Sequence, residues 1–226
     1  MSSTLVLVHG WGLGAGAWRP VRRGLQAWST HSLELGFHHP ASTALPSGGD
    51  FLAIGHSLGF LWLTRQLLLD PDLATRCRGL IAINGFCRFA RAADFPAGVA
   101  PRILERMVSR LSVDPHSVLK DFQRQGGLQS LLALPSILNT QALAQGLAWL
   151  AEWDSRPLLA SWEKPLLVIA SQDDRVVTPE MMVQQFQPGP SSTLEWFEDG
   201  GHLLPLTRPE RVSARIDAFA RQHGAS

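Results

Sequence analysis

The sequence predicts an α/β protein, a mostly parallel, doubly wound sheet with a run of helices inserted into its middle. Short apolar runs recur at Thr4–Val8, Phe51–Gly55, Leu80–Ile83 and Pro165–Ala170, and they are continuous rather than alternating, as strands covered on both faces should be. Helical periodicity separates these runs, and such alternation is how parallel sheets are built. Residues 86–162 break the alternation with amphipathic helical stretches and no strand pattern. A helical cap is therefore expected over 86–162, with 1–85 and 163–226 forming the core.

The first strand, Thr4–Val8, runs into His9-Gly10-Trp11-Gly12, with Gly14 and Gly16 close behind. Ala17 to Ser29 carries Trp18, Val21, Leu25 and Trp28 at helical spacing and predicts a helix. A brief strand over His31–Leu35 comes next, then a Pro/Ser/Gly-rich loop from Pro40 to Gly49. Phe51–Gly55 predicts a buried strand that turns almost without a loop into an apolar helix, Leu58–Leu69. Leu80–Ile83 is another short strand, ending at Asn84-Gly85. The inserted segment predicts helices over Pro101–Leu111, Pro115–Gln125 and Thr140–Trp153. Strands return at Pro165–Ala170 and Thr193–Phe197, and a helix from Pro209 to Gln222 follows.

A chain of 226 residues can be one α/β domain or one domain carrying an insertion, and it buries roughly 70–75% of its unfolded surface. Hydrophobic residues make up 45% and charged residues 17%, which suits a compact globular protein. The net charge of +1, without any block of five like charges, leaves no electrostatic footprint for nucleic acid. Cys77 and Cys87 show neither a zinc-ligand spacing nor a disulfide framework, so they either pair with each other or stay as reduced, buried thiols. No basic segment precedes the short apolar run Leu5–Val8, and no stretch approaches the roughly 20 apolar residues of a membrane span. A cytoplasmic protein without a membrane partner is the expectation.

Four motifs carry chemistry. Gly55-His56-Ser57-Leu58-Gly59 is a G-x-S-x-G pentapeptide directly after a buried strand and directly before a helix. In that setting the chain makes a tight turn whose glycines leave room on either flank of a strained serine, and the hydroxyl stands above the sheet end. Leu58 falls at the helix N-terminus, where its free N–H can meet a developing oxyanion. His9-Gly10-Trp11-Gly12 is a glycine-rich loop after the first strand, and the Trp11 N–H is placed to be a second oxyanion donor. A phosphate cradle competes for the same glycines, but the G-K-[ST] ending is absent and only Glu34 stands near the position of a ribose-binding acid. Ser171-Gln172-Asp173-Asp174 places acids at the end of a strand, and Asp199-Gly200-Gly201-His202 places a histidine on a loosened loop after the last one. Ser57, Asp174 and His202, each at a strand's C-terminal end, stand in the chain order of a nucleophile–acid–base triad.

These residues resemble the α/β-hydrolase superfamily over 4–85 and 164–222. Within it, the H-G-W-G loop, the G-H-S-L-G elbow, a helical cap and the spacing of 28 residues from Asp174 to His202 look like esterases that demethylate pimeloyl-carrier protein in biotin synthesis. The resemblance implies an α/β-hydrolase fold and a cofactor-free serine carboxylesterase with Ser57 as nucleophile, His202 as general base and Asp174 orienting it. Superfamily members commonly have two apolar residues two and three positions after the acid, and Val176 and Val177 stand so from Asp174. Asp173 is left to cap the following turn. The implied substrate is a small or carrier-protein-bound acyl ester, on a monomer or a homodimer. A thioesterase, a C–C bond hydrolase or a cofactor-free haloperoxidase share the fold, and a non-catalytic binding module would need no intact Ser/Asp/His set.

Two departures from the superfamily pattern stand out. The usual N-terminal β-hairpin is lacking, and a loop from Gly36 to Asp50 replaces the usual helix. Either the enzyme is trimmed, or this flank of the sheet is bare in the monomer and needs a partner. In the cap, Arg102, Arg106 and Arg110 recur every four residues and make one helix face basic. Arg102 and Arg106 are candidates for meeting an acidic carrier protein or a phosphopantetheine phosphate, and a solvated face is the alternative. Trp149 and Trp153, one turn apart, either pack toward the core or line an acyl pocket.

Overall fold

The computed structural model describes residues 3–224. Six strands, β1 (Thr4–Val8), β2 (Thr30–Leu33), β3 (Phe51–His56), β4 (Cys77–Ile83), β5 (Leu166–Ser171) and β6 (Ser192–Phe197), form one sheet in the order β2-β1-β3-β4-β5-β6. Every neighbouring pair is parallel. Successive side chains point to opposite faces, so both faces need apolar residues. Leu5, Leu7, Leu52, Ile54, Ile81, Ile83, Leu167 and Ile169 fill one core, while Val6, Val8, Ala53, Leu80, Ala82, Val168 and Ala170 fill the other. The two edge strands are less covered, β2 with His31 exposed and Leu33 buried, β6 with Thr193 exposed and Phe197 buried. The chain leaves β1 toward β2 and returns to pair β3 on the opposite side. The resulting switch point opens a crevice above the C-terminal ends of β1 and β3.

Along the chain, a 3-10 turn over Ala15–Trp18 leads into one α-turn, α1 (Arg19–Arg22). The helix expected through Ser29 does not form. Bonds from Gly24 to Val21, Leu25 to Arg22 and Trp28 to Leu25 are of i→i+3 type, and Gly24 lies so close to Ser213 that a Cβ there would overlap its side chain. The apolar spacing nevertheless does its work, because Trp18, Val21 and Leu25 are buried in the sheet's first core. After β3 come α2 (Leu58–Leu69) and α3 (Pro71–Arg76), and α3 was not foreseen.

Between β4 and β5 the named elements are helices, α4 (Pro101–Leu111), α5 (Pro115–Gln125), α6 (Thr140–Glu152) and α7 (Arg156–Ala160), with isolated bridges tying Arg88 to Asp154 and Ala90 to Val99. Proline opens α4, α5 and α7 in the first turn, where its missing N–H is harmless. The remaining helices are α8 (Pro179–Gln185), α9 (Leu204–Thr207) and α10 (Pro209–His223). None of the described helices is long and apolar enough to cross a membrane.

Of the two readings of the flank beside residues 36–50, the structure favours the trimmed one. Residues 36–50 form no helix, but Leu35 and Phe37 are buried and Leu45 packs on the same core as Val6, Val8 and Leu33. Cys77 and Cys87 are unpaired and buried, and burial pushes both thiols up to about 12. Trp149 and Trp153 stack on each other at 4.8 Å with Arg65 over Trp153.

Candidate active site

Ser57 joins β3 to α2 with φ 54° and ψ −126°. A non-glycine residue at positive φ costs on the order of 1–3 kcal/mol and persists only where its surroundings impose it. The flanking glycines impose it here. A Cβ at Gly55 would overlap the Phe60 backbone, and one at Gly59 would overlap the Val8 and His9 carbonyls. The start of α2 is thereby pressed against the end of β1. Leu58 is the first residue of α2, so its N–H has no acceptor within the helix. Neither that amide nor the one of Trp11 is bonded to a backbone carbonyl among the described residues.

The three residues singled out by their chain order meet. His202 Nε2 lies 2.9 Å from Ser57 Oγ, and His202 Nδ1 lies 2.8 Å from Asp174 Oδ2. The side chains of Asp174 and His202 are both wholly buried. Asp174 Oδ1 accepts from the Val176 and Val177 amides at 2.7 and 2.9 Å, so the two valines that mark this acid by spacing also hold its carboxylate. Asp173 does not cap the following turn. Its Oδ1 accepts from Ser171 Oγ and from the Gly201 amide at 2.8 Å, and so anchors the histidine loop. Burial raises the Asp173 carboxyl, but the Ser171 hydroxyl and the glycine amides outweigh it and hold the group below the usual range.

Glu34 is taken up by structure, which removes the acid that a nucleotide reading needed. It is buried, with Oε2 accepting from the Ala15 amide at 2.8 Å and Oε1 from the Gly36 amide at 3.1 Å, beside His9 Nε2 at 3.2 Å. Burial alone would raise its carboxyl, yet the His9 contact and the two amides bring it below its ordinary value. This carboxylate fixes the Gly10–Gly16 loop to the end of β2.

A cavity of about 700 Å³ opens onto Ser57. Its interior is apolar, with Phe86, Leu104, Val118, Phe122, Leu147 and Met181 among the lining side chains. Five arginines and a single acid, Asp121, border it. Arg102 and Arg106 both line the cavity, are exposed, and have no carboxylate partner among the described residues, whereas Arg110 pairs with Asp121 at 2.7 Å. Trp149 and Trp153 are absent from the lining, so they are not acyl-pocket walls. The inserted helices reach the site itself. Phe122 packs edge-on against Trp11 at 5.3 Å and His202 at 5.9 Å, and Trp11 Nε1 donates to Leu143 O at 2.8 Å. Among the described residues no group of three or more His, Cys, Asp or Glu is arranged to hold a metal ion.

Sequence reasoning missed three residues around this centre and weighed a fourth, Glu34, only as a ribose-binding acid. Glu34, His56, Asn84 and Phe122 are buried or half-buried at it. The first three carried one legible signal, a polar residue at or just after the end of a buried strand.

Comparison with known proteins agrees with this fold. The chain is 31% identical over 241 residues to a pimeloyl-acyl-carrier-protein methyl ester esterase of Xanthomonas oryzae pv. oryzae (strain MAFF 311018), covering 95% of this chain and 94% of that one. A protein of the same name from Stenotrophomonas maltophilia (strain K279a) is 28% identical, with 95% and 92% covered. Among solved structures, an esterase from Exiguobacterium antarcticum superposes with a TM-score of 0.83 at 16% identity, over 98% of this chain and 93% of that one, which supports the fold. A model of the alpha/beta hydrolase family matches residues 5–215, and the chain belongs to that family.

Proposed function

We propose that the protein hydrolyses carboxylic esters through an acyl-enzyme on Ser57. The observation that carries this reading is the unbroken line from Ser57 Oγ through the His202 imidazole to Asp174, at 2.9 and 2.8 Å, opening onto a largely apolar cavity. His202 Nε2 takes the Ser57 proton as the hydroxyl attacks the ester carbonyl, and Asp174 keeps the imidazole proton on Nδ1. The Leu58 and Trp11 amides receive the oxyanion. The tetrahedral species collapses as His202 returns the proton to the departing alcohol. A water molecule then repeats the sequence on the acyl-enzyme and releases the acid.

The substrate class we infer is a methyl ester at the end of an acyl chain tethered to a carrier protein, as the names of the relatives suggest. Residues 86–162 act as the cap in this reading, over a core of 1–85 and 163–226. The apolar cavity takes the chain, and the unpaired Arg102 and Arg106 at its border suit a phosphopantetheine phosphate or an acidic carrier surface. A fluorophosphonate probe should label the wild type and leave Ser57→Ala unlabelled, and p-nitrophenyl esters of increasing acyl length should be cleaved alongside a carrier-linked dicarboxylate methyl ester. Labelling that persists in Ser57→Ala would remove the nucleophile, and cleavage of the small esters alone would remove the carrier-bound substrate.

A further inference from the structure

The loop that carries His202 contains no regular element of its own to hold the ring. Gly200 and Gly201 precede it with φ of 119° and 63°, and a general base needs its imidazole fixed to within a fraction of an ångström of the nucleophile. Asp173 holds the Gly201 amide and Gly126 O the Leu203 amide on either side, and the backbone of the base itself is held at its carbonyl. The His202 oxygen accepts from His56 Nε2 at 2.9 Å and from Asn84 Nδ2 at 2.9 Å. The second Asn84 amide hydrogen goes to Gly201 O at 2.9 Å, and Asn84 Oδ1 accepts from the Ser171 amide at 2.9 Å. That last bond fixes the amide's orientation, because only an oxygen can face the Ser171 N–H.

His56, Asn84 and His202 are all buried to within 1% exposure. We propose that His56 and Asn84 are positioning residues, which clamp the His202 carbonyl and so set the imidazole against Ser57. The clamp rests on the reading of His202 as the general base. Its reach is what distinguishes it from ordinary loop packing. His56 is covalently next to the nucleophile, Asn84 directly follows β4, and Ser171 ends β5 three residues before Asp174. The ends of β3, β4 and β5, the first and last of which lead to Ser57 and Asp174, are thus tied to the loop backbone of the base.

The chemistry of His56 fits this task and little else. Facing a carbonyl, Nε2 must carry the proton, which leaves Nδ1 as a bare acceptor without a partner, packed against Gly10. Burial and the neighbouring His202 push the ring down to about 3, so it is neutral at neutral pH. A buried histidine with one unmet nitrogen destabilises a fold relative to an apolar side chain of similar size. Its Nε2–H is the return on that cost.

The test compares His56→Leu with His56→Gln, whose amide nitrogen reaches about as far as Nε2. On a p-nitrophenyl ester, His56→Leu is expected to lower kcat on the order of tenfold to a hundredfold with KM within about twofold, and His56→Gln to recover most of that loss. Asn84→Asp keeps the acceptor for Ser171 but removes both donors, and it should show the same kcat-only loss should His56→Leu fail to fold. Folded variants with kcat within about threefold of wild type, or a glutamine variant as impaired as the leucine one, overturn the clamp. His202→Ala separates the two readings. If it stays active the triad assignment fails, whereas an inactive His202→Ala beside an active His56→Leu sinks the clamp alone.

Discussion

Exchanging Asp174 for asparagine should be far more damaging than the same exchange at Asp173, and the hydrogen bonds around the two carboxylates say why. Asp174 Oδ1 is the acceptor for two backbone N–H groups, Val176 and Val177, while Oδ2 faces His202 Nδ1. An asparagine must decide which end keeps its oxygen. Turning the NH₂ toward the valine amides would set donors against donors and leave buried groups unmet, at about 1–3 kcal/mol each. The oxygen therefore stays with the valines and the NH₂ faces His202 Nδ1, which forces the imidazole proton onto Nε2. A base protonated on the side of the nucleophile cannot take its proton, and in serine proteases this substitution costs about 10⁴ in kcat. Asp174→Asn is thus expected to lose on the order of a thousandfold or more in kcat. Asp173 Oδ1 can be replaced by an asparagine oxygen that still meets Ser171 and Gly201, so Asp173→Asn should stay within about tenfold. Steady-state hydrolysis of a p-nitrophenyl ester decides the ranking. The opposite order would move the orienting role to Asp173, and two mild effects would dissolve the triad.

Reversing Arg102 and Arg106 to glutamate should raise KM for a carrier-protein substrate and leave a small ester unaffected, and equal effects on both would show that these arginines are not a docking surface. His56 should make the fold acid-sensitive. Its ring takes up a proton near 6.5 ordinarily but only at about 3 when folded, so stability is full above 6.5 and falls as pH drops toward 3, by up to about 1.4 kcal/mol per pH unit. Denaturant melts of His56→Gln should have a shallower slope over that window, and superimposable slopes would mean that His56 is not buried as a neutral ring. Asp154 binds Arg88 and Arg156 at 2.6 Å; burial raises its carboxyl, and these bonds outweigh burial and bring it to about 2. Because that value lies below the ordinary 3.8, the stabilisation is present above 3.8 and lost as pH falls toward 2. Asp154→Asn should cost about 1–2 kcal/mol after solvent screening, or roughly 2–8 °C in Tm, and an unchanged Tm at neutral pH would count the network as surface decoration.

How far the fold could be read depended on where the deciding contacts lie. Pro101, Pro115 and Pro209 open their helices from within, and the both-faces-buried strands declare themselves by uninterrupted apolar runs, so these boundaries are legible locally. The segment from Ala17 to Ser29 shows the limit. Its apolar spacing is helical, and the buried side chains follow it, but Gly24 yields to Ser213, which lies far along the chain on α10. A periodic pattern fixes which residues face the core without fixing the backbone bonds that bring them there. The loop from Gly36 to Asp50 shows the same thing in reverse. Its Phe37 and Leu45 cover the sheet without any regular element.

The site divides along the same line. Ser57, Asp174 and His202 each follow a strand and each belong to a local pattern, whereas His56, Asn84 and Glu34 answer to backbone groups elsewhere, such as the Gly201 carbonyl that lies 117 positions from Asn84. Yet their positions obey a rule. The ends of β1 to β5 carry His9, Glu34, His56, Asn84 and Ser171, polar and buried at every one. A polar side chain in such a place must find a partner, and the loops above the sheet supply the N–H and carbonyl groups. Glu34 takes the Ala15 amide of the loop after β1, His56 and Asn84 take the His202 carbonyl, and Ser171 donates its hydroxyl to Asp173, which holds Gly201. Substrate touches none of these groups in the mechanism proposed here. They convert the C-terminal end of a rigid sheet into fixed positions for glycine-rich loops. That division of labour lets glycine-rich turns, chosen for the tight approach they permit, hold reacting atoms at hydrogen-bond distance.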